Sequence, residues 1–287
     1  MIIDAHNHPE WHGHTIEKFI RNMDENQIDI TWLLTWESPE DEYPPSIFSS
    51  IPCWEKNGPI PFSRVIEYIK QKPGRFIPGY APDPRRPEAI DLLNGAINLY
   101  GVRVYGELKL RMMYDNPDAI RMFRFCGKKR LPVVVHIDYE FDTGSNYPRP
   151  SYWYGGGIDA FERAIVKCPE TIFLGHGPGF WAHISGDDRF DKEVYPDGPV
   201  KEGGKIIEML RKYPNLHCDL SAGSGLNAIK RDVEFGKNFL IEFQDRILFA
   251  RDYFDSLHRE FLESLNLDRD VLEKIYYKNA LKLVPLK

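Results

Sequence analysis

The sequence predicts one (β/α)₈ barrel over residues 1–287, and three observations support this fold class. Eight short apolar runs alternate with segments that carry apolar residues at helical spacing. The stretches after the apolar runs are long and those after the helical segments are short, as in barrel enzymes. No change of composition marks a second domain. An open doubly wound sheet is the alternative, because it shows the same alternation.

The predicted strands are runs rich in branched aliphatic side chains and bounded by turn residues. They cover residues 1–6, 28–35, 76–83, 102–110, 131–138, 171–179, 216–222 and 247–254. The predicted helices lie between them and carry apolar residues three and four positions apart. They cover residues 15–26, 62–71, 87–100, 117–129, 158–168, 204–214 and 225–243, and residues 268–284 form a last helix that seals the barrel.

Three long stretches rich in proline, glycine and aromatic residues follow predicted strands, at 36–61, 139–157 and 178–204. Loops of this length in a compact domain usually have a function, such as covering an active site. The sequence therefore predicts a functional site at the carboxyl ends of the strands.

The composition argues against several classes of function. The formal net charge is −6 without a basic block, so neither nucleic acid nor a membrane surface is an expected partner. No apolar run approaches the roughly 18 residues of a membrane span, and no signal peptide is recognised, which makes the cytoplasm the expected location. The four widely spaced cysteines indicate buried thiols. A small-molecule substrate is the expected partner, and the sequence does not decide whether the chain forms a homodimer.

The first predicted strand ends in the sequence DAHNH, and two more histidines follow it. Alternate residues of a strand point to the same side, so His6 and His8 are expected to face the barrel mouth and to reach one ion. His12 and His14 lie beyond Pro9, where this argument no longer applies. Solvated loop positions are expected for them, with contact to substrate as the alternative.

Three more polar residues, His136, His176 and Asp252, lie at the ends of predicted strands. The carboxyl ends of parallel barrel strands meet at one face, so these side chains are expected to converge on one pocket. Each histidine alone would more often be a hydrogen-bonded core residue, but their shared placement indicates a metal centre. Imidazoles with a carboxylate suit one divalent cation, and zinc is the expected metal.

In these features the sequence resembles the amidohydrolase superfamily over its full length. It is most similar to the amidohydrolase-related branch that includes aminocarboxymuconate semialdehyde decarboxylase-like enzymes. The resemblance implies four metal ligands, which are His6, His8, His136 and Asp252. It also implies that His176 is the catalytic imidazole, and Asp252 is suited to take a proton from water.

Glu107 and Lys109 share one face of the fourth predicted strand, and either side chain could point into the barrel mouth. Both are expected to contact substrate, with an ordinary polar pair inside the barrel as the alternative. Binuclear members of the superfamily bridge two metals through a carboxylated lysine or a glutamate near this place. A second metal is therefore a further alternative, although members of the nearer branch use one.

Aromatic residues of the long loops are expected to cover a flat substrate, with packing among themselves as the alternative. They are Tyr147, Tyr152, Trp153, Tyr154, Phe180 and Trp181. Arg149 could pair with a substrate carboxylate. Ala250 and Arg251 replace the small residues that the superfamily usually has before the last aspartate, which bears on substrate contacts.

For the remaining polar residues, ordinary structural roles are expected. Asp4 is expected to orient an imidazole of the metal centre. His183 and His217 are expected as polar loop and strand residues, and His258 on a helix surface.

The expected function is a metal-dependent hydrolase of a small ester, lactone or amide, because a divalent cation lowers the pKa of water from about 15.7 to near 7. A non-oxidative decarboxylase of a small unsaturated or aromatic acid is the alternative, for which Arg149 or Arg251 would anchor the carboxylate. The third hypothesis is a barrel that binds a ligand without catalysing a reaction.

Overall fold

All eight predicted strands are present in the computed structural model, which describes residues 1–39, 42, 58–138 and 154–286. The strands are β1 (Ile3–Asn7), β2 (Ile30–Leu33), β3 (Phe76–Pro78), β4 (Tyr105–Leu108), β5 (Val133–His136), β6 (Phe173–His176), β7 (Leu216–Asp219) and β8 (Ile247–Leu248). Each strand is shorter than its apolar run, because residues at one or both ends of the run lie outside the hydrogen-bonded ladder.

All strand pairs are parallel, and the strands follow each other in chain order. They form a three-stranded sheet, β1 to β3, and a five-stranded sheet, β4 to β8. At one seam Gly79 pairs with Val104 in a parallel bridge. At the other, the backbone N–H of Ala5 donates to the carbonyl of Phe249 over 2.9 Å. The arrangement is a (β/α)₈ barrel, as predicted.

Helices lie at all the predicted places, and two further helices outside the predicted ranges follow β6 and β8. They are α1 (Ile16–Glu25), α2 (Phe62–Gln71), α3 (Ala89–Tyr100), α4 (Pro117–Lys129), α5 (Gly157–Lys167), α6 (Pro178–Trp181), α7 (Lys205–Lys212), α8 (Ala222–Lys230), α9 (Val233–Glu242), α10 (Leu257–Ser264), α11 (Arg269–Glu273) and α12 (Asn279–Leu283). A π-helical turn, Lys274–Lys278, joins the last two.

The single helix predicted over 225–243 is wrong, because the chain breaks there into α8 and α9. Asp232 lies between them in an extended conformation, and its carboxylate accepts a hydrogen bond from the backbone N–H of Phe235. An aspartate in this position caps a new helix and ends the periodic pattern before it.

Two hydrophobic clusters hold the barrel together. The larger one lies between the strands and the surrounding helices. The smaller one, the interior cluster, fills the barrel with side chains from seven strands and their ends: Ile3, Ala5, Ile30, Trp32, Leu34, Ile77, Val104, Val134, Leu174, Leu248 and Ala250. Ala280 and Val284 complete it, which confirms that the last helical segment seals the barrel.

The thiols of Cys126, Cys168 and Cys218 are buried and free, as predicted, and Cys53 lies outside the described residues. Among the helices that the structure describes, none has the length and apolarity to cross a membrane.

Candidate metal centre at the carboxyl ends of the strands

Polar side chains from six strands or strand ends meet at one end of the barrel. His6 belongs to β1 and Glu107 to β4, and β5, β6 and β7 end at His136, His176 and Asp219. Asp252 follows β8 by four residues, and His8 follows β1 directly. Apart from Asp252, which is 15% exposed, all these side chains are buried.

The first strand departs from strict alternation. Ile3 and Ala5 point into the interior cluster, and the register with β2 shifts between Asp4 and Asn7. His6 and His8 nevertheless reach the same place, since their Nε2 atoms lie 4.0 and 3.5 Å from carboxylate oxygens of Glu107. The expected convergence of the pair is therefore present, although the bulge, and not simple alternation, accounts for it.

Glu107 lies at the centre of the imidazoles. Its Oε1 atom is 2.8 Å from Nδ1 of His136 and 3.5 Å from Nε2 of His176. Its Oε2 atom is 3.5 Å from Nε2 of His8. This placement makes Glu107 a candidate cation ligand, which the sequence had offered only as an alternative to a substrate contact.

Asp252 lies at the open side of the cluster. Its Oδ1 atom is 3.4 Å from Nε2 of His8, and its Oδ2 atom is 3.9 Å from Nε2 of His176. The backbone at Asp252 has a positive φ of 50°, and its N–H donates to the carbonyl of His6. That bond ties the residue to the end of β1 and directs its carboxylate toward the imidazoles.

The donor atoms fall into three overlapping groups that could hold a cation: His6 with His8 and Glu107, His6 with His176 and Asp252, and Glu107 with His136 and His176. Within each group the ligand atoms lie within 4.8 Å of one another. Nε2 of His6 and Oδ1 of Asp252 are buried and have no hydrogen-bond partner among the described residues. Buried polar atoms are rarely left unpaired, so the residues present fit a divalent cation.

The second ring nitrogens of three imidazoles also have partners. Nδ1 of His8 lies 3.0 Å from the carbonyl oxygen of Leu34, which can only accept, so Nδ1 carries the proton. Nδ1 of His6 and Nδ1 of His176 lie 3.0 and 3.1 Å from the two oxygens of Asp219. In each ring Nε2 is thereby directed toward the candidate cation site.

Sequence reasoning did not single out Asp219, although the signal was present. The strand-end rule that selected His136 and His176 applies equally to the seventh apolar run, whose strand ends at Asp219. Asp4, by contrast, does not orient an imidazole, so that expectation was wrong. Its carboxylate binds the buried Arg251 through Nε and the backbone N–H, each at 2.9 Å.

Burial and neighbouring charges shift the pKa values within the cluster. Burial alone would lower the pKa of His6, but the adjacent Asp219 carboxylate outweighs it and raises the pKa to about 10. Burial and the ammonium of Lys109 lower the pKa of His136 to about 3. Burial would raise the pKa of Glu107, but His136 and Lys109 hold it well below its usual value. Glu107 therefore remains ionised, as a ligand must.

Lys109 lies beside the cluster in an aromatic setting. Its ammonium is 4.2 Å from the ring centre of Trp36 and 5.5 Å from that of Tyr154. Tyr154 in turn meets His136 edge to face, with ring centres 6.0 Å apart. Lys109 and Tyr154 thus lie where the sequence suggested contacts with substrate.

Two other aromatic residues have a different environment from the one expected. Phe180 and Trp181 are buried in the larger cluster, and Trp181 packs against Phe180 and Phe239. Their side chains pack within the protein, which was the alternative for the loop aromatics. Arg149, Tyr147, Tyr152 and Trp153 lie outside the described residues.

The remaining histidines lie away from the donor groups. His12 is exposed, as expected, and contacts Tyr253, while His14 stacks on Phe254. His258 was expected on a helix surface, which is wrong, since it is 4% exposed and its Nε2 atom lies 3.1 Å from the carbonyl oxygen of Ala222.

Arg251 is not free to anchor a substrate carboxylate, so that expectation was also wrong. It is 1% exposed, and its guanidinium binds Asp4 and the side chain of Asn22. The departure from the superfamily pattern at this position therefore serves an internal ion pair.

Comparison with known proteins gives a family match. A profile of the amidohydrolase family matches residues 3–286. A search of curated protein sequences finds no significant match.

Solved structures with the same fold cover nearly the whole chain. An uncharacterised TIM-barrel protein from Bordetella bronchiseptica is 17% identical, with 98% of this chain and 97% of that chain covered and a TM-score of 0.65. A dihydroxybenzoic acid decarboxylase from Polaromonas sp. JS666, with bound manganese and the inhibitor 2-nitroresorcinol, is 16% identical, with 98% and 96% covered and a TM-score of 0.62. A protein from Acinetobacter baumannii assigned as a 2-pyrone-4,6-dicarboxylic acid hydrolase, with bound citric acid, is 12% identical, with 98% of both chains covered and a TM-score of 0.60.

Proposed function

The chain belongs to the amidohydrolase family, and on that premise we propose that it is a metal-dependent hydrolase of a small ester, lactone or amide. The observation that carries the proposal is the position of Asp252. Its carboxylate is partly exposed beside a buried cluster of imidazoles, and its Oδ1 atom has no hydrogen-bond partner among the described residues. A carboxylate so placed can accept a proton from an incoming water.

We propose that His6, His8, Glu107 and Asp252 hold one divalent cation, with His136 as a further ligand. Nitrogen and carboxylate donors suit zinc, and they also suit manganese, which the Polaromonas decarboxylase contains. When bound, such a cation polarises an oxygen of the substrate or of water. If two cations bound per chain, Glu107 would be a candidate ligand for either, as would His6 and His176, since each of these residues belongs to two of the three donor groups.

His176 is proposed to hold and move a proton at Nε2. The Asp219 carboxylate accepts a hydrogen bond from Nδ1, so Nε2 is the ring nitrogen that can take a proton and then donate a hydrogen bond to a developing oxyanion. The ring is buried, and exclusion of water strengthens such an interaction. The proton that Asp252 takes from water can pass to Nε2 of His176, 3.9 Å away, and from there to the leaving group.

One observation favours a second candidate function, non-oxidative decarboxylation of a small aromatic or unsaturated acid. The ammonium of Lys109 lies over Trp36 and near Tyr154, beside the candidate cation site. The Lys109 ammonium could hold a substrate carboxylate, and the aromatic rings could cover a flat substrate. Hydrolysis needs no such anchor.

The two reactions can be separated by their products. The purified protein, loaded with zinc or manganese, is incubated with lactones, amides, esters and hydroxybenzoate-like acids while acid release and CO₂ evolution are followed. We expect metal-dependent acid release from a lactone, ester or amide. Metal-dependent CO₂ evolution without hydrolysis of any compound would instead establish the decarboxylase.

Metal analysis tests the site itself. We expect about one divalent cation per chain, and loss of it when His6→Ala and His8→Ala are combined, because two donors of the cluster disappear. The double variant His12→Ala with His14→Ala is the matched control, and it should keep most of the metal. Unchanged metal content in the first variant would show that the site is elsewhere.

A further inference from the structure

We propose that Asp219 is a positioning residue that fixes the imidazoles of His6 and His176 with Nδ1 protonated. This inference rests on the proposed cation site. Oδ2 of Asp219 lies 3.0 Å from Nδ1 of His6, and Oδ1 lies 3.1 Å from Nδ1 of His176. An ionised carboxylate only accepts hydrogen bonds, so both Nδ1 atoms must donate. One carboxylate at the end of β7 thereby sets the proton position in rings from β1 and β6.

This proton position decides whether His6 can bind a cation. With the proton on Nδ1, the lone pair of Nε2 faces the candidate site, where Nε2 is buried and has no hydrogen-bond partner among the described residues. In the other tautomer Nε2 would present an N–H group to the cation and could not bind it. Ligation by His6 therefore depends on Asp219.

The two oxygens of Asp219 have different partners. Oδ1 also accepts hydrogen bonds from the backbone N–H of Ser221 over 3.2 Å and from the Ser221 hydroxyl. For Oδ2, the bond to Nδ1 of His6 is the one that the structure describes. In Asp219→Asn the amide oxygen must stay on the Ser221 side, because a backbone N–H can only donate. The NH₂ group then faces His6 and favours the tautomer that cannot ligate.

His8 is independent of Asp219. Its Nδ1 atom donates to the carbonyl of Leu34, which no side-chain substitution removes. The Asp219→Asn variant should consequently lose one imidazole from the cation while His8 remains bound.

The experiment compares zinc binding by the wild-type protein and by Asp219→Asn. Competition with a chelating dye gives the zinc dissociation constant, and X-ray absorption of the zinc-loaded protein gives the number of imidazole ligands. We expect zinc to bind about 10- to 100-fold more weakly in the variant, with one imidazole fewer.

Asp4→Asn is the matched control. Asp4 and Asp219 are both fully buried carboxylates, but Asp4 binds Arg251 and not an imidazole ring. We expect this control to be less stable and to keep the wild-type zinc affinity and imidazole count.

The outcomes are separable. If the wild-type protein does not bind zinc or manganese, the proposed function fails; if it binds zinc and Asp219→Asn binds it equally with the same imidazole count, the role of Asp219 is overturned. Should the variant not fold, long-range ¹H–¹⁵N spectra of the zinc-loaded wild-type protein, labelled at histidine, provide the test. Protons on Nδ1 of both His6 and His176 support the proposal, and a proton on Nε2 of His6 overturns it.

Discussion

The hydrogen-bond partners of Nδ1 distinguish His6, His8 and His176, whose Nε2 atoms all face the candidate cation site. His8 is held by a backbone carbonyl, whereas His6 and His176 share the carboxylate of Asp219. The hydroxyl of Ser221 also lies 2.7 Å from Nδ1 of His176. Of these three rings, His176 therefore has the most polar partners on the side away from the cluster, as suits the proton transfer proposed for it.

Replacing His176 distinguishes a catalytic imidazole from a ligand. We expect His176→Asn to keep its metal, because His6, His8, Glu107 and Asp252 remain, and to lower kcat about 10²-fold or more, because the proton carrier is gone. Metal analysis and steady-state kinetics with the hydrolysed substrate provide the measurement. Since His176 also belongs to two of the donor groups, loss of metal in this variant would identify it as a ligand instead.

At the level of single elements, apolar runs predicted all eight strands because a buried strand leaves a strong local signal. The ends of the strands were less predictable. The residues from Phe249 to Phe254 continue the apolar run of β8, but the strand itself ends at Leu248. The partners in an ion pair are harder still to predict, because Arg251 and Asp4 are 247 positions apart and only the folded chain shows that they pair.

Residues of the site could be predicted from the sequence where a polar residue lies at the end of a strand. They could not be predicted where their position depends on contacts with several elements. His136 and His176 close their strands and were expected from the sequence. The central position of Glu107 depends on distances to four rings from the ends of three other strands, which spacing along one strand cannot reveal. The loop residues Arg149 and Trp153 remain predictions, since they lie outside the described part of the chain.

The turn after β6 depends on a glycine that packs against the end of β5. A Cβ atom at Gly179 would lie 1.8 Å from the backbone oxygen of Asp138, and the backbone cannot yield as a side chain can. We expect Gly179→Ala to lower the free energy of unfolding by about 1–3 kcal/mol or more, as measured by urea denaturation.

Gly95 offers a matched control for that substitution. It lies inside α3, and a Cβ atom there would meet nothing within 4 Å. Gly95→Ala should raise the free energy of unfolding by about 0.5–1 kcal/mol, because alanine loses less backbone entropy in a helix. Equal stability of the two variants would refute the close contact at Gly179.

For the whole molecule, the barrel encloses ionisable groups on both sides of the interior cluster. The candidate metal centre lies at the carboxyl ends of the strands, and His217 lies two residues before Asp219 on β7. His217 is 6% exposed, and its Nδ1 atom has no partner within the described ranges. Burial, with Arg246 and Lys282 nearby, lowers its pKa to about 3. Folding therefore keeps this imidazole neutral.

This buried imidazole predicts a pH dependence of stability. In the unfolded chain His217 takes up a proton below its usual pKa of about 6.5, whereas in the folded protein it does so only near pH 3. Its contribution to stability is complete above about pH 6.5 and is lost as the pH falls toward 3. The loss is about 1.4 kcal/mol per pH unit while the unfolded state holds the extra proton.

His217→Gln should remove this contribution, because glutamine does not titrate. Urea denaturation at several pH values between 4 and 8 measures it, with wild type and variant at the same zinc concentration so that effects of the metal centre are shared. We expect the free energy of unfolding of the wild-type protein to fall more steeply with acidification than that of the variant below about pH 6.5. The two should run parallel above that pH. Curves that stay parallel down to pH 4 would mean that His217 is protonated in the folded barrel, and the buried imidazole would then need an acidic partner that the described residues do not supply.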